Sequence, residues 1–581
     1  MNTPWGEKID KAAPLPEYPR PQLRRESYLN LNGSWGFYMG PQEAKPQGSL
    51  PETILVPFSP ESELSGIHRQ KAAGDILCYR RSFHLPKGFN RGRVLLHFGA
   101  VDHTALVLLN GREQGRHKGG YWPFTFDITD SLRERNVLEV TVADEGTERL
   151  CDARGKQSSR PGGIWYTAQS GIWQAVWLES VPEKYITGLK ITPLFDQQQV
   201  LLQVNTNAPG KCSIALDGMD YAAAAGALIH LPLENLRPWS PEDPYLYEFS
   251  VSFGADTVQS YFGMRKCAVE KDEKGVPRLF LNNRPLFHNG VLDQGYWPEG
   301  LYTAPSEEAM ICDIQTMKAL GFNMLRKHIK IEPLRWYYLC DRMGMLVWQD
   351  MVSGGGPYRP AVVTAPAVGL LTNRVDDNYA AFGRKSELSR QRYYEELTAT
   401  VELLYNSPSL VMWVAFNEGW GQFDALKAVE QIRALDGTRT IDHASGWHDQ
   451  GGGDVYSRHV YFRKFRFRRD SLGRAAVLSE FGGYALGLPG HRWTEKDFGY
   501  RKFTDEGQLT AALIKLYDRE IIPAIPQGLS AAVYTQLSDV EAEVNGLLTY
   551  DRRELKVEPD GVMDMNRRLW AACGSEAAVV S

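Results

Sequence analysis

The chain has 581 residues, of which 65 are basic and 70 acidic, and its formal net charge is −5. Because charge is balanced and no long basic or acidic tract occurs, a nucleic-acid partner is not expected. No run of about 18 apolar residues is present, so the sequence predicts no membrane association. The first residues lack the basic and apolar regions of a secretory signal, so we expect a cytoplasmic protein unless a signal has been removed.

The seven cysteines are odd in number, far apart and without a CxxC pair. This pattern predicts reduced thiols and neither a disulfide framework nor a zinc cluster. Nothing else in the sequence predicts a bound metal or a cofactor. A homo-oligomer is compatible with the sequence, which leaves the oligomeric state open.

The first half of the chain resembles two sandwiches of short strands. Residues 94–98, 105–109 and 137–142 alternate apolar and polar positions or form apolar runs, with Asn110-Gly111 as a hairpin turn. We therefore predict a β-sandwich over residues 1–183. Residues 184–266 show the same pattern of short strands and turns over a shorter length. They predict an immunoglobulin-like β-sandwich, with strands at 200–204 and 247–251.

From about residue 267, strands alternate with amphipathic helices, which is typical of parallel βα units. Eight strands can be counted, beginning at 286–292 and ending near Ala532. We predict a C-terminal (β/α)8 TIM barrel over residues 267–581. Residues 351–383, rich in Gly, Pro and Ala, are predicted to form a loop over the pocket.

Two of these strands end in glutamates. An apolar run from Pro408 delivers Asn417 and Glu418, and the strand at 475–479 delivers Glu480. The carboxyl ends of barrel strands face the active site, and a retaining glycosidase needs two carboxyl groups roughly 5 Å apart. Asn417-Glu418 alone would be compatible with the cap of a turn; the second strand-end glutamate favours the catalytic interpretation.

The two carboxyl groups need different environments. Glu418 would have to be protonated, so its pKa should be raised by apolar neighbours, whereas an ionised Glu480 needs donors or a cation. Arg326 closes the second strand and Tyr461 follows the sixth, and both are candidates for this role. Further candidates for sugar binding lie at or near other strand ends: His328 and His459 as neutral imidazoles, Asp293, Asp350, Trp447 and Tyr534.

Each of these residues also has a structural interpretation. Asp293 and Asp350 are compatible with backbone hydrogen bonds in turns, and Trp447 and Tyr534 with core packing. The polar loop 154–160, which carries Lys156 and Arg160, is interpreted as solvated, the alternative being that it reaches the barrel mouth.

These residues and several motifs resemble glycoside hydrolase family 2 over nearly the whole chain. The motifs are Leu31-Asn32-Gly33-Ser34-Trp35-Gly36-Phe37, residues 115–124, Ser170-Gly171-Ile172-Trp173, Asn406-Ser407-Pro408-Ser409, Asn417-Glu418 and Ser479-Glu480-Phe481-Gly482. The resemblance implies an N-terminal jelly-roll sugar-binding domain, an immunoglobulin-like domain and a barrel that hydrolyses a terminal β-linked sugar with retention. It further implies Glu418 as acid/base, Glu480 as nucleophile and Asn417 as ligand of the sugar 2-hydroxyl.

The sequence departs from the family's β-galactosidases where these carry an acidic ligand before the Ser-Gly-Ile-Trp motif and a magnesium site after the third strand. Arg160-Pro161-Gly162-Gly163 and Gln349-Asp350-Met351-Val352 stand there instead. The family's glucuronidases carry an Asn-x-Lys pair where this chain has Glu543-Val544-Asn545, and Glu543 would repel a uronate. Arg326, Lys327 and Lys330 are alternative partners for a sugar carboxylate.

We therefore expect a retaining exo-β-glycosidase acting on a carbohydrate, named a β-galactosidase after the commonest activity of the family. β-Mannosidase and β-glucuronidase are the alternatives within the family. A non-catalytic carbohydrate-binding protein is the alternative from another class, and transfer to a second sugar is the alternative to hydrolysis. The sugar, its linkage and the aglycone stay open.

Overall fold

A computed structural model of the chain describes residues 1–144 and 151–574. Its first part is a sandwich of a four-stranded and a six-stranded antiparallel sheet. Alternate side chains of Thr104–Leu109 and Asn136–Ala143 are buried between the sheets, as a half-exposed strand requires. The strands of the four-stranded sheet are, in spatial order, Tyr28–Asn30, Val176–Val181, Arg93–Phe98 and Phe124–Asp127. Those of the six-stranded sheet are Glu52–Val56, Gly33–Gly40, Ile76–Phe83, Asn136–Ala143, Thr104–Leu109 and Arg112–Lys118.

A second, smaller sandwich follows, with sheets of three and four strands. Its strands are Ile186–Leu194, Gln199–Thr206 and Leu228–Pro232, and Met219–Ala224, Lys211–Leu216, Tyr247–Phe253 and Asp256–Phe262. Buried Arg25 joins the two sandwiches. It donates two hydrogen bonds to Asp256, at 2.9 and 2.8 Å, and one to Glu179, at 2.9 Å.

The third part is an eight-stranded parallel barrel. Its strands in chain order are His288–Asp293, Met324–Lys327, Leu346–Asp350, Leu410–Val414, Thr440–Asp442, Val455–Val460, Ala475–Gly482 and Leu529–Thr535. Each of these pairs with its neighbours in parallel, except that the fifth and sixth lie side by side without a hydrogen-bonded ladder. All eight predicted strands are present, within a few residues of the predicted positions.

The barrel helices are Glu307–Ala319, Leu334–Met343, Pro360–Val363, Glu387–Leu404, Ala425–Leu435, Glu506–Leu516 and Pro559–Ala572. Residues 443–454 and 461–474, which follow the fifth and sixth strands, contain no helix. In the described parts of the chain, no helix has the length and apolarity that a membrane crossing needs.

Strand alternation sorts the barrel side chains into two layers. Leu292, Met324, Trp348, Met412 and Val533 belong to the interior cluster. Val291, Leu325, Val347, Trp413 and Tyr534, each next to one of them in the chain, pack in the cluster that includes the helices. The hairpin Cys267–Lys271 and Pro277–Leu281 contributes Leu279 and Leu281 to the interior cluster.

The predicted fold is confirmed: a jelly-roll-like sandwich, an immunoglobulin-like sandwich and a TIM barrel. The exact domain limits remain predictions. The first residues do not all pack on the first sandwich, since the Thr3 N–H donates to Glu299 of the barrel at 3.1 Å and Arg24 bridges to Gln259 of the second sandwich.

Candidate active site

The carboxyl ends of the fourth and seventh strands bring Glu418 and Glu480 together. One carboxylate oxygen of each, and a ring nitrogen of His459, lie within 4.8 Å of one another. This separation is close to the roughly 5 Å of retaining glycosidases and shorter than the roughly 6.5–9.5 Å that leaves room for water in inverting ones. All three side chains are buried at the bottom of the barrel mouth.

The backbone of Glu418 lies in the left-handed region, with φ at 50°. Such a conformation is unfavourable for a residue with a side chain and persists where surrounding contacts hold it. Here the Glu418 N–H donates to the Ser445 carbonyl at 2.9 Å, and the carboxylate contacts His459 Nδ1 at 2.7 Å. Burial raises the pKa of Glu418 to about 8, although Lys156 and Arg326 oppose the rise. The group is therefore protonated at neutral pH.

Glu480 has the donors that an ionised carboxylate needs. Arg326 Nη1 donates to Oε1 at 3.0 Å, and the Tyr461 hydroxyl donates to Oε2. Burial raises the pKa of Glu480, whereas His459, Arg326 and Tyr461 act to lower it. The two glutamates thus differ in their partners although both are buried.

Arg326 is fully buried and organises the floor of the site. It forms a two-pronged ion pair with Asp350, at 2.9 and 3.0 Å, and donates to Asn417 Oδ1 at 2.7 Å. This last bond fixes the Asn417 amide, so that Nδ2, which has no protein partner among the described residues, is left as a donor. A sugar hydroxyl would satisfy it.

His328 contacts Asp350 through Nδ1 at 2.8 Å, and burial lowers the pKa of His328 well below its usual value. It is therefore a neutral ring at the edge of the site, and its centroid lies 6.1 Å from that of Trp420. The Asp350 carboxylate is taken up by Arg326 and His328, so it supports the site from below instead of facing a ligand.

Three other sequence predictions are corrected or refined by the structure. His459 has a fully buried side chain whose nitrogens contact Glu418 and Ser445, so it is not free to bind a sugar hydroxyl. Asp293 faces the outer layer, where Lys327 donates to it at 2.6 Å, because it alternates with inward-facing Leu292. Tyr534 likewise belongs to the helix-facing cluster.

Trp447 packs beside His459, with ring centroids 6.0 Å apart. It is buried and lies in the helix-free connection after the fifth strand. Its position flanks the Glu418 side of the site.

The sequence suggests a solvated Lys156, and the structure corrects this. The loop of the first sandwich that carries Lys156 reaches the barrel mouth. The loop is held by Ser353, whose carbonyl accepts from the Arg154 and Gly155 N–H groups at 3.0 Å each. Lys156 is 5% exposed, and its ammonium lies 5.6 Å from the ring centroid of Trp420. Within the described residues its ammonium has no hydrogen-bond or ion-pair partner. A polar stretch of sequence gives no signal that it will be buried against another domain.

Glu543, which the sequence predicts would repel a uronate, lies on the loop after the eighth strand. Glu543 is buried, accepts from Asn545 Nδ2 at 2.9 Å and also accepts from the Tyr166 hydroxyl. It is close enough to Glu418 to contribute to the raised pKa of that residue. Tyr500 is stacked on Tyr461, with 4.3 Å between ring centroids. Glu543, Tyr166 and Tyr500 together form one wall of the site.

The triad of Glu418, His459 and Glu480 has the donor types and spacing of a metal site. However, the Arg326 guanidinium already places a positive charge 3.0 Å from Glu480 and would repel a divalent cation. The arrangement therefore fits an acid and a nucleophile better than a set of metal ligands.

Three family models match the chain in order. They are described as glycosyl hydrolase 2 galactose-binding domain-like, over residues 62–165, glycosyl hydrolases family 2, over 184–265, and glycosyl hydrolases family 2, TIM barrel domain, over 274–466. These ranges fall on the three parts of the observed fold.

Curated relatives carry two kinds of name. The β-galactosidase large subunit of Leuconostoc lactis is 24% identical over 65% of this chain, which spans only 60% of that subunit. The β-glucuronidase of Paenibacillus borealis is 26% identical over 81% of this chain and 85% of its own length.

Among solved structures, a β-glucuronidase from an uncultured Clostridium superposes with a TM-score of 0.72 at 18% identity. The match covers 95% of this chain and 99% of that one, so the whole three-part arrangement is shared. By its motifs, its three family matches and this fold, the chain belongs to glycoside hydrolase family 2.

Proposed function

We propose that the protein is a retaining exo-β-glycosidase in which Glu418 is the acid/base and Glu480 the nucleophile. The observation that carries this proposal is the pair itself: two buried carboxyl groups within 4.8 Å, one held by a neutral imidazole and the other by a cation and a phenol. A non-catalytic sugar-binding protein would have no use for two carboxyl groups in such different environments.

The first step breaks the glycosidic bond. An oxygen of Glu480 attacks the anomeric carbon while the proton of Glu418 passes to the departing oxygen, which leaves as an alcohol. The products of this step are a covalent glycosyl ester on Glu480 and an ionised Glu418.

In the second step Glu418 removes a proton from water, and the resulting oxygen nucleophile displaces Glu480 from the anomeric carbon. The sugar leaves with its original configuration, Glu480 regains its charge and Glu418 its proton. Asn417 Nδ2, a donor that no group in the described part of the chain uses, would bind the 2-hydroxyl during both steps.

The test is to assay Glu418→Gln and Glu480→Gln on phenyl β-glycosides, whose leaving oxygen needs protonation. Each variant should lose about 10²-fold or more of kcat/KM, because a proton donor or the nucleophile is removed. Glu430→Gln, on the exposed face of the helix Ala425–Leu435, is the matched control and should keep full activity. Full activity in Glu480→Gln would refute the assignment.

For the sugar we propose a neutral β-galactoside first. Glu543 is buried on the same wall as Glu418, and its carboxylate would repel a uronate there. A β-glucuronide is the second candidate, because the buried ammonium of Lys156, which has no hydrogen-bond or ion-pair partner among the described residues, is a natural partner for a sugar carboxylate.

Lys156→Met decides between these sugars when the aryl galactoside, glucuronide and mannoside are compared. If a uronate is the substrate, the variant should lose at least about 10-fold more kcat/KM on the glucuronide than on the galactoside. If a neutral sugar is the substrate, wild type should prefer the galactoside, and the substitution should not change that preference.

A further inference from the structure

Behind Glu418, a buried serine after the fifth strand and one within each of the sixth and seventh strands form a row of hydroxyl groups. Ser445 Oγ lies 3.0 Å from His459 Nε2 and 3.3 Å from Ser457 Oγ, and Ser457 Oγ also contacts Ser479 Oγ. All three serines are at most 6% exposed. The Ser479 hydroxyl has a single proton and two acceptors within reach, Ser457 Oγ and, at 3.3 Å, the Arg458 carbonyl oxygen. The contact with Ser457 is the shorter, so the donors run from Ser479 to Ser457, from Ser457 to Ser445 and from Ser445 to His459.

This row meets His459 at the nitrogen that faces away from Glu418. Arg326 Nη1 approaches the same Nε2 at 3.4 Å, and a guanidinium can donate a hydrogen bond but cannot accept one. A proton on Nε2 would therefore point at a donor. Glu480 Oε1 is 3.6 Å from Nε2, which is too far for a hydrogen bond. Because Ser445 accepts from Ser457, its own proton is free for Nε2, and the hydrogen-bonding neighbours favour an unprotonated Nε2.

The proton of the neutral ring then resides on Nδ1 and is donated to Glu418 Oε1 at 2.7 Å. With Oε1 occupied as an acceptor, the acidic proton of Glu418 belongs on Oε2. That oxygen has no protein partner among the described residues and remains open to the pocket.

We propose that Ser445, supported by Ser457 and Ser479, fixes the Nδ1–H tautomer of His459 and thereby holds the Glu418 proton on the oxygen that faces the glycosidic bond. These four are positioning residues, and the inference rests on the proposed hydrolysis. Ser445 acts at two points, because its carbonyl also holds the Glu418 backbone N–H at 2.9 Å.

The kinetic test uses leaving groups of different acidity. A phenyl glycoside needs protonation of its leaving oxygen, whereas a 2,4-dinitrophenyl glycoside does not. Ser445→Ala should therefore lower kcat/KM about 10-fold or more for the phenyl glycoside and less than about 3-fold for the dinitrophenyl glycoside. Ser445→Thr, which keeps a hydroxyl, should restore most of the loss.

Ser409→Ala is the matched control. Ser409 is a buried serine at the opposite end of the barrel, before the strand Leu410–Val414, and its removal should leave the ratio of the two substrates unchanged. An equal fall on both substrates in Ser445→Ala would mean a general structural defect, and no fall would mean no role; either result overturns the proposal.

A spectroscopic arm does not depend on turnover. Nitrogen-15 NMR of labelled histidine, with the His459 signal identified by its loss in His459→Gln, should show a protonated Nδ1 and an unprotonated Nε2 at neutral pH. The opposite tautomer would refute the inference. If wild type hydrolyses no glycoside at all, the proposed function fails, and the NMR spectrum still decides the tautomer.

Discussion

At the scale of single residues, the site depends on a difference between two buried glutamates. Both have a pKa raised by burial, but Glu418 contacts a neutral ring and Glu480 contacts a cation and a phenol. Catalysis requires the first to be protonated and the second ionised. Activity should therefore be confined to the pH range between their two pKa values.

The required protonation states of Glu418 and Glu480 determine how activity should depend on pH. Because Glu418 must keep its proton, kcat/KM should fall as the pH rises through about 8. Because the pKa of Glu480 is raised, the acid limb should lie above the ordinary carboxylate range of about 4. A bell-shaped profile of kcat/KM against pH would agree, and a profile that is flat from about pH 7 to 10 would contradict the assignment.

Lys156 should move one limb of this profile. Its positive charge opposes the raised pKa of Glu418, so Lys156→Met should shift the alkaline limb to higher pH. Lys184→Met, at an exposed position of the chain, is the control and should not move it. The comparison needs only kcat/KM against pH on one phenyl glycoside, whose leaving oxygen needs protonation.

Some of these residues can be recognised from the sequence and others cannot. Glu418, Glu480, Arg326 and Tyr461 end or follow predicted strands, so parallel-barrel topology alone predicts that they meet. Position at a strand end is not enough for Asp293 and Tyr534, because alternation turns their side chains away from the pocket. The burial of Lys156 depends on docking between domains, for which its own stretch of sequence carries no pattern.

At the scale of elements, strands such as Leu410–Val414 and Leu529–Thr535 are predictable because they are mostly apolar and buried on both faces. The connections between the strands are less predictable from the sequence. Residues 443–454 and 461–474 form no helix, and the first of them supplies Ser445 and Trp447 to the site. A regular βα repeat would place a helix in each, so the irregular connections are where the chain departs from its pattern to build the site.

A helix end offers a prediction at this scale. Gly344 ends the helix Leu334–Met343 with φ at 67°, and a Cβ there would lie 2.5 Å from the Pro241 carbonyl oxygen of the second sandwich. Gly344→Ala should therefore cost more than the roughly 1–2 kcal/mol of a left-handed alanine and lower the melting temperature.

The control is Gly218, whose φ is 78° but where an added Cβ would have no atom within 4 Å. Gly218→Ala should show the backbone cost alone. If both variants melted at the same temperature, close packing of the barrel helix on the second sandwich would not be a source of stability.

At the scale of the whole molecule, buried charges join the parts. Arg25 links Glu179 of the first sandwich to Asp256 of the second, and all three side chains are nearly inaccessible to water. Arg25→Ala would leave carboxylates buried without their full complement of donors, a change that costs about 3–5 kcal/mol in comparable pairs. We expect a clearly lower melting temperature by calorimetry.

Arg69→Ala is the comparison, because its ion pair with Glu52 is largely exposed. Exposed pairs contribute about 0–1 kcal/mol, so melting should hardly change. A similar melting temperature for Arg25→Ala and wild type would show that the two sandwiches are held together by other contacts.

The loop that carries Lys156 has a consequence for how this enzyme could acquire new substrates. One wall of the reaction chamber belongs to a different folding unit from the floor, and it is fastened there by backbone bonds from Arg154 and Gly155 to Ser353. Exchange of a few side chains on that wall would leave the proton donor and the nucleophile untouched. Selectivity is thus open to change in one unit while the chemistry is preserved in another.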